Sequence, residues 1–229
     1  MVNKLNPPKK SNDDFIHSLI EATVGSAPAV GSFLSKFFVS VIAPPYEKRT
    51  KEWMGAVACK IQEIESSVER FNIENLQNNE QFLDAIYTTT RTAIATSSNI
   101  KKDKLLYALQ NIALNNSPDM VSSAIFLNFI ERFNEAHIIV CNIFESPNDC
   151  RKNRSIYEVK ETPMELLIEV LHLPNYLIDQ IVKELYDSGL ITINKDKLGE
   201  RPSDPMLEEN SFLTEFGKQF ISFIKKPAF

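Results

Sequence analysis

From residue 46 onward, apolar residues recur at helical spacing. Trp53, Val57, Ile61, Ile64, Val68 and Phe71 fall at steps of four and three, which predicts one long helix over 46–71 with a single apolar stripe. The stripe spans only about three heptads and further helices follow at once, so it reads as the core of an intramolecular bundle rather than a coiled-coil seam. An asparagine-rich polar link at 72–79 leads to a helix over 80–96 that turns Phe82, Leu83, Ile86, Ala93 and Ile94 inward. Its other face carries Thr88, Thr89, Thr90, Thr92 and Thr96; threonine is a mediocre helix former, and the expectation is a solvated face. The next helix opens at Lys101-Lys102-Asp103-Lys104 and buries Leu105, Leu106, Leu109, Ile112 and Ala113. Ser117 as N-cap and Pro118 in the first turn then start a helix that runs to 133 through Val121, Ala124, Ile125 and Phe129.

Upstream, residues 1–11 contain Pro7-Pro8-Lys9-Lys10 and read as a disordered leader. Asp13 or Asp14 caps a short helix with Phe15, Leu19 and Ile20, and the helix expected at 28–43 is the most apolar in the chain. It has about 16 residues against the roughly 20 a membrane crossing needs, with Lys36 in its middle. A buried central helix is the expectation.

Towards the C-terminus the pattern changes. Asn134 caps a helix over 135–144 with Ile138, Ile139, Cys141 and Ile143. A polar loop at 146–154 holds Arg151, Lys152 and Arg154, and 155–159 alternates as a short strand would. Thr162-Pro163-Met164-Glu165 carries a capping box with proline at the first helical position. Pro174 begins a helix packed through Leu177, Ile178, Ile181, Val182 and Leu185, which Gly189 ends. The runs 191–193 and 211–213 are expected to pair as strands around a polar loop at 195–210, and Thr214 opens a last helix to 224. The run Leu185-x-x-Ser188-Gly189-Leu190-Ile191, followed by Leu213-Thr214-Glu215-Phe216-Gly217-Lys218-Gln219-Phe220, resembles winged helix-turn-helix domains. The whole chain is similar to bacterial proteins in which a helical bundle precedes such a module, a similarity that supplies no activity. The expected fold is therefore mainly α: an N-terminal antiparallel helical bundle at 12–133, then a winged helix with a small β-hairpin at 134–229.

Charge refines the functional expectation. Residues 1–133 hold 14 Lys/Arg and 14 Asp/Glu, whereas residues 134–229 hold 11 and 16, so the net charge of −5 belongs to the C-terminal part. In a nucleic-acid reader of this family, the helix at 174–188 would enter the major groove and expose Asn175, Tyr176, Asp179, Gln180 and Lys183, with Lys195, Lys197 and Arg201 on the wing. Here Asp179, Glu184 and Asp187, together with Asp196, Glu200, Asp204, Glu208 and Glu209, would repel a polyanion. Lys101, Lys102 and Lys104 form a second candidate basic patch, with a solvated run as its default reading.

Chemistry is sparse. His17, His137 and His172 lack partners at metal-ligand spacing, no Gly-rich phosphate loop or nucleophile elbow occurs, and the three cysteines show no C-x-x-C pair. Cys141 reads as core packing and Cys150, beside Arg151 and Lys152, as an exposed thiol without a base. No cofactor, metal or catalytic residue is expected. The expectation is a cytoplasmic, non-enzymatic adaptor that makes protein contacts and self-associates. Two other readings are a winged-helix DNA-binding regulator, and a membrane-active or phage-defence effector that exposes the 28–43 helix.

Overall fold

The computed structural model describes residues 47–147, 162–200 and 211–228. The expected leader, the two helices before residue 44, the strand at 155–159, Cys150 and Arg201 lie outside them. Eight α-helices are present among the described residues: α1 (Glu47–Ser67), α2 (Glu80–Ala95), α3 (Asn99–Ala113), α4 (Met120–Arg132), α5 (Glu135–Glu145), α6 (Pro163–Leu171), α7 (Asn175–Asp187) and α8 (Glu215–Phe223). The chain divides into two compact units. The first takes α1, α2, the end of α3 from Leu109, and the residues from Lys226; the second takes the start of α3 and everything from Ser117 to Lys225. That grouping places α4 with the helices that follow it.

In the first unit, α1 and α2 run antiparallel. Arg49 near the start of α1 donates to the carbonyl of Ile94 near the end of α2, and the Trp53 indole donates to Thr90 Oγ1 at 3.1 Å. Trp53, Val57, Ile61 and Ile64 are buried as the stripe predicts. The helix stops at Ser67, so Val68 and Phe71 fall beyond it and stay half-exposed. The polar link is a 3-10 helix, Ile73–Asn78, capped by Asn72 and burying Leu76.

The threonine face of α2 corrects the expectation of a solvated surface. Thr89, Thr90 and Thr92 are buried. Their hydroxyls donate to carbonyls of the preceding turn, Thr89 and Thr90 to Ile86 and Thr92 to Thr88. A hydroxyl satisfied within its own helix leaves a small β-branched body that can be packed at little desolvation cost. The same unit ends α3 with Asn115 in the left-handed region (φ 56) and with Asn116 N–H donating to the Asn111 carbonyl, a Schellman-type closure.

In the second unit α4 also departs from expectation. Its N-cap is Asp119, which accepts from the N–H groups of Val121 and Ser122, rather than Ser117. The buried face is Ser123, Phe126, Leu127, Phe129 and Ile130, while Val121, Ala124 and Ile125 point to solvent. Aromatic pairing sets this rotation: Phe126 lies 4.8, 5.4 and 5.6 Å, centroid to centroid, from Phe216, Phe220 and Phe223 of α8.

Helix α8 is seated by two features of the sequence. Thr214 caps it by accepting from Gly217 N–H, and its own hydroxyl donates to the Gly189 carbonyl. Gly217 lies so close to Leu190 that a Cβ there would stand 2.0 Å from the Leu190 carbonyl oxygen. Only glycine fits, because the obstructing atom is backbone. The expected hairpin is reduced to one antiparallel bridge, Ile191 to Leu213, flanked by Thr192 N–H to Phe212 O and Thr214 N–H to Leu190 O. No strand forms among the described residues. The hydrogen-bonding groups beyond the bridge are taken by helices instead: Phe212 N–H and Ser211 Oγ donate to the Phe144 carbonyl of α5, and Leu198 O accepts from Met164 N–H of α6. Between them the chain coils into a 3-10 turn, Lys195–Lys197.

Gly217→Ala is expected to destabilise the protein by about 3 kcal/mol or more, as overpacking against backbone does. Gly189→Ala, in open space at φ +72, should cost about 1 kcal/mol through strain alone. Urea unfolding of both variants checks the order; equal losses would mean the close approach carries no penalty.

Candidate functional site

Helices α6 and α7 and the turn between them present the surface that the sequence singles out. The α6 N-terminus carries the complete capping box: Thr162 Oγ1 accepts from Glu165 N–H, and the Glu165 carboxylate accepts from Thr162 N–H. The helix ends at His172, which adopts the left-handed conformation (φ 52) that reverses the chain. Pro174 then occupies the N-cap of α7. At the far end, Leu190 N–H donates to Leu185 O and Gly189 N–H to Tyr186 O, a Schellman closure with glycine at the left-handed position.

Ile178, Ile181, Val182 and Leu185 form the buried side of α7, as the spacing predicts, whereas Leu177 is 38% exposed. On the outer side Asn175, Tyr176, Gln180 and Lys183 are exposed and Asp179 is half-buried, so the five residues expected at the surface share one helix. Tyr176 is 70% exposed and Tyr186 44%. Gln180 and Lys183, which lie between them, are already engaged. Lys183 is ion-paired with Asp187 one turn on, which raises its pKa, and Gln180 donates to Glu184 Oε1 at 2.7 Å. In the turn packed against α7, Lys195 pairs with Asp196 at 3.2 Å, and Lys197 is exposed.

The second candidate patch lies elsewhere, on the first turns of α3. Lys101 donates to the Glu131 carbonyl at 2.9 Å, and Lys104 sits over the Tyr107 ring. Burial lowers the pKa of both. Lys101, Lys102 and Lys104 are all half-buried, not a solvated run. Their stems pack while their charged heads reach the surface.

One residue of this unit escaped the sequence reading as a polar centre. His137, 4% exposed, lies with Nδ1 2.9 Å from Asn134 Oδ1 and Nε2 2.9 Å from Glu184 Oε2. Asn134 is the N-cap of α5, so the imidazole joins the start of α5 to the last turns of α7. Phe133 stacks on its ring at 4.7 Å, and Arg132 covers Phe129 and Phe133 and donates to Ser188 Oγ. Burial pushes the His137 pKa below the ordinary histidine value against the opposing pull of Glu184. Hydrogen bonds from Gln180 and then His137 hold the Glu184 carboxyl below its usual range. Asn134 three residues earlier was legible as a cap; Glu184, 47 residues on, gave no local signal.

Among the described residues no group of three or more His, Cys, Asp or Glu is placed to hold a metal ion, and no helix is long and apolar enough to cross a membrane. Cys141 is fully buried, and burial raises its thiol pKa to about 12, which leaves it protonated and packed. Comparison with protein families, with curated proteins and with solved structures returned no match.

His137 and Glu184 both contribute to the pH dependence of stability. The unfolded chain takes up protons at His137 and Glu184 at higher pH than the folded one, so their contribution is complete above 6.5 and is lost as pH falls through the folded-state values. His137→Gln should flatten the part of the decline that begins just below 6.5. Urea unfolding at a series of pH values measures it, and an unchanged profile would contradict the assignment.

Proposed function

We propose that the C-terminal helices form a winged-helix-like module, with α7 in the position of a recognition helix, and that its outer face makes contacts with a protein. The order of elements supports the first part: α5, α6, a tight turn, α7, a glycine, a bridged pair of extended segments and a closing helix. Among the described residues the two extended segments are joined by a single bridge, Ile191 to Leu213, and the helical corner is complete.

The observation that carries the second part is the chemistry of the exposed side of α7. It offers Tyr176 and Tyr186 as amphipathic contact residues, and its one cation, Lys183, is neutralised by Asp187. Exposed tyrosines supply apolar area and a hydrogen-bonding tip at low entropic cost, the composition found at protein interfaces. Phosphate recognition needs the opposite, unpaired cations along the face. On this reading the protein is an adaptor without catalytic activity, and a role as a DNA-binding regulator is the competing use of the same corner.

Affinity capture with the full chain tests the proposal. A partner retained by the wild type should fall at least tenfold in occupancy with Tyr176→Ala or Tyr186→Ala, and stay within twofold with Lys183→Ala, since a truncated interface aromatic typically costs more than about 1.4 kcal/mol. Retention that depends on Lys183 and disappears after nuclease treatment would favour the regulator.

A further inference from the structure

The outer side of α7 has an order of its own. Successive residues advance by about 100° around a helix. Tyr176, Asp179, Lys183 and Tyr186 follow one another at steps of three, four and three, so they form one stripe within an arc of about 80°. The buried residues Ile178, Ile181, Val182 and Leu185 occupy another arc. Both tyrosines are exposed, and they stand at the two ends of the stripe, about 15 Å apart along the axis. Residues at this spacing are what one helix offers to another lying alongside it.

The charges on this side do not balance. Lys183 stands one turn from two carboxylates, Asp179 before it and Asp187 after it, so a single cation serves both. It pairs with Asp187, and among the described residues no cation is paired with Asp179, which lies half-buried between the tyrosines. The surroundings carry the same sign: residues 162–200 hold seven Asp/Glu against three lysines, of which Lys183 and Lys195 are paired. We propose that the stripe receives a helical segment of a partner protein that carries apolar residues near its two ends, about ten residues apart, and a lysine or arginine between them. The apolar residues cover Tyr176 and Tyr186, and the cation meets the charge of Asp179 that Lys183 leaves uncompensated. The field of the neighbouring carboxylates draws such a segment in. An acidic segment is repelled at the same place, and a neutral one covers Asp179 without giving it a partner.

This inference rests on the reading of α7 as a protein-contact face and adds to it the chemistry of the partner. The test is selection from a displayed library of helical peptides on the full chain, repeated on a Tyr176→Ala, Tyr186→Ala double variant, both exposed positions where folding should be unaffected. Peptides retained by the wild type and lost with the double variant should carry a net positive charge. One such peptide, fluorescently labelled, should bind about threefold more weakly to Asp179→Asn and about tenfold more weakly to Asp179→Lys. Replacing its central lysine or arginine by glutamate should restore binding to Asp179→Lys. Tyrosine-dependent peptides that are neutral or acidic, or binding indifferent to both substitutions at 179, overturn the inference and leave the contact face standing. Peptides retained equally by the double variant, or none retained at all, overturn the contact face, and the inference falls with it.

Discussion

The backbone of Leu190 is the point on which the C-terminal helices depend. Its N–H closes α7 by donating to Leu185, its carbonyl accepts from Thr214 at the entrance to α8, and Gly217 lies against that same carbonyl. Two helices, α7 and α8, therefore meet at the backbone of one residue within hydrogen-bond or van der Waals distance. No side chain at 217 is compatible with this, which makes the glycine a condition of the arrangement. Once α8 is seated there, Phe216, Phe220 and Phe223 face Phe126, and the rotation of α4 follows. The outer side of α7 is what remains exposed after that packing is satisfied.

Much of the fold could be read from local chemistry. The capping box at Thr162, the caps at Asn134 and Thr214 and the stop at Gly189 are each set by residues within four positions of one another, and a linear pattern contains all that they need. The stripe of α1 was equally plain, because apolar and charged residues alternate along it without ambiguity. Where a helix offered two plausible faces, the pattern had no means of choosing. On α4 the choice fell to aromatic partners some 90 residues away in α8, and on α2 to hydroxyls that satisfy themselves on their own backbone. The paired strands expected at 191–193 and 211–213 failed for a related reason: Phe212 N–H donates to Phe144 of α5 instead of extending a ladder.

The candidate surface was legible as a set of positions and illegible as chemistry. Asn175, Tyr176, Asp179, Gln180 and Lys183 do share α7, as helical spacing requires. What spacing could not give is their engagement. Lys183 with Asp187 and Gln180 with Glu184 are i, i+4 pairs that a sequence permits without compelling, and the link from Glu184 to His137 crosses between two helices. These contacts convert a charge balance counted along the chain into a local statement: Lys183 and Lys195, two of the cations that a phosphate backbone would meet, already face carboxylates.

That local statement is the centre of the account, and a titration of fluorescent random-sequence duplex DNA at low salt, about 20 mM, tests it most directly, since even non-specific binding by a phosphate-reading module is strong there. The account predicts no saturable rise in anisotropy up to tens of micromolar protein. Binding that falls steeply with added salt, and is lost on replacing Lys183 and Lys195 by alanine, would contradict it.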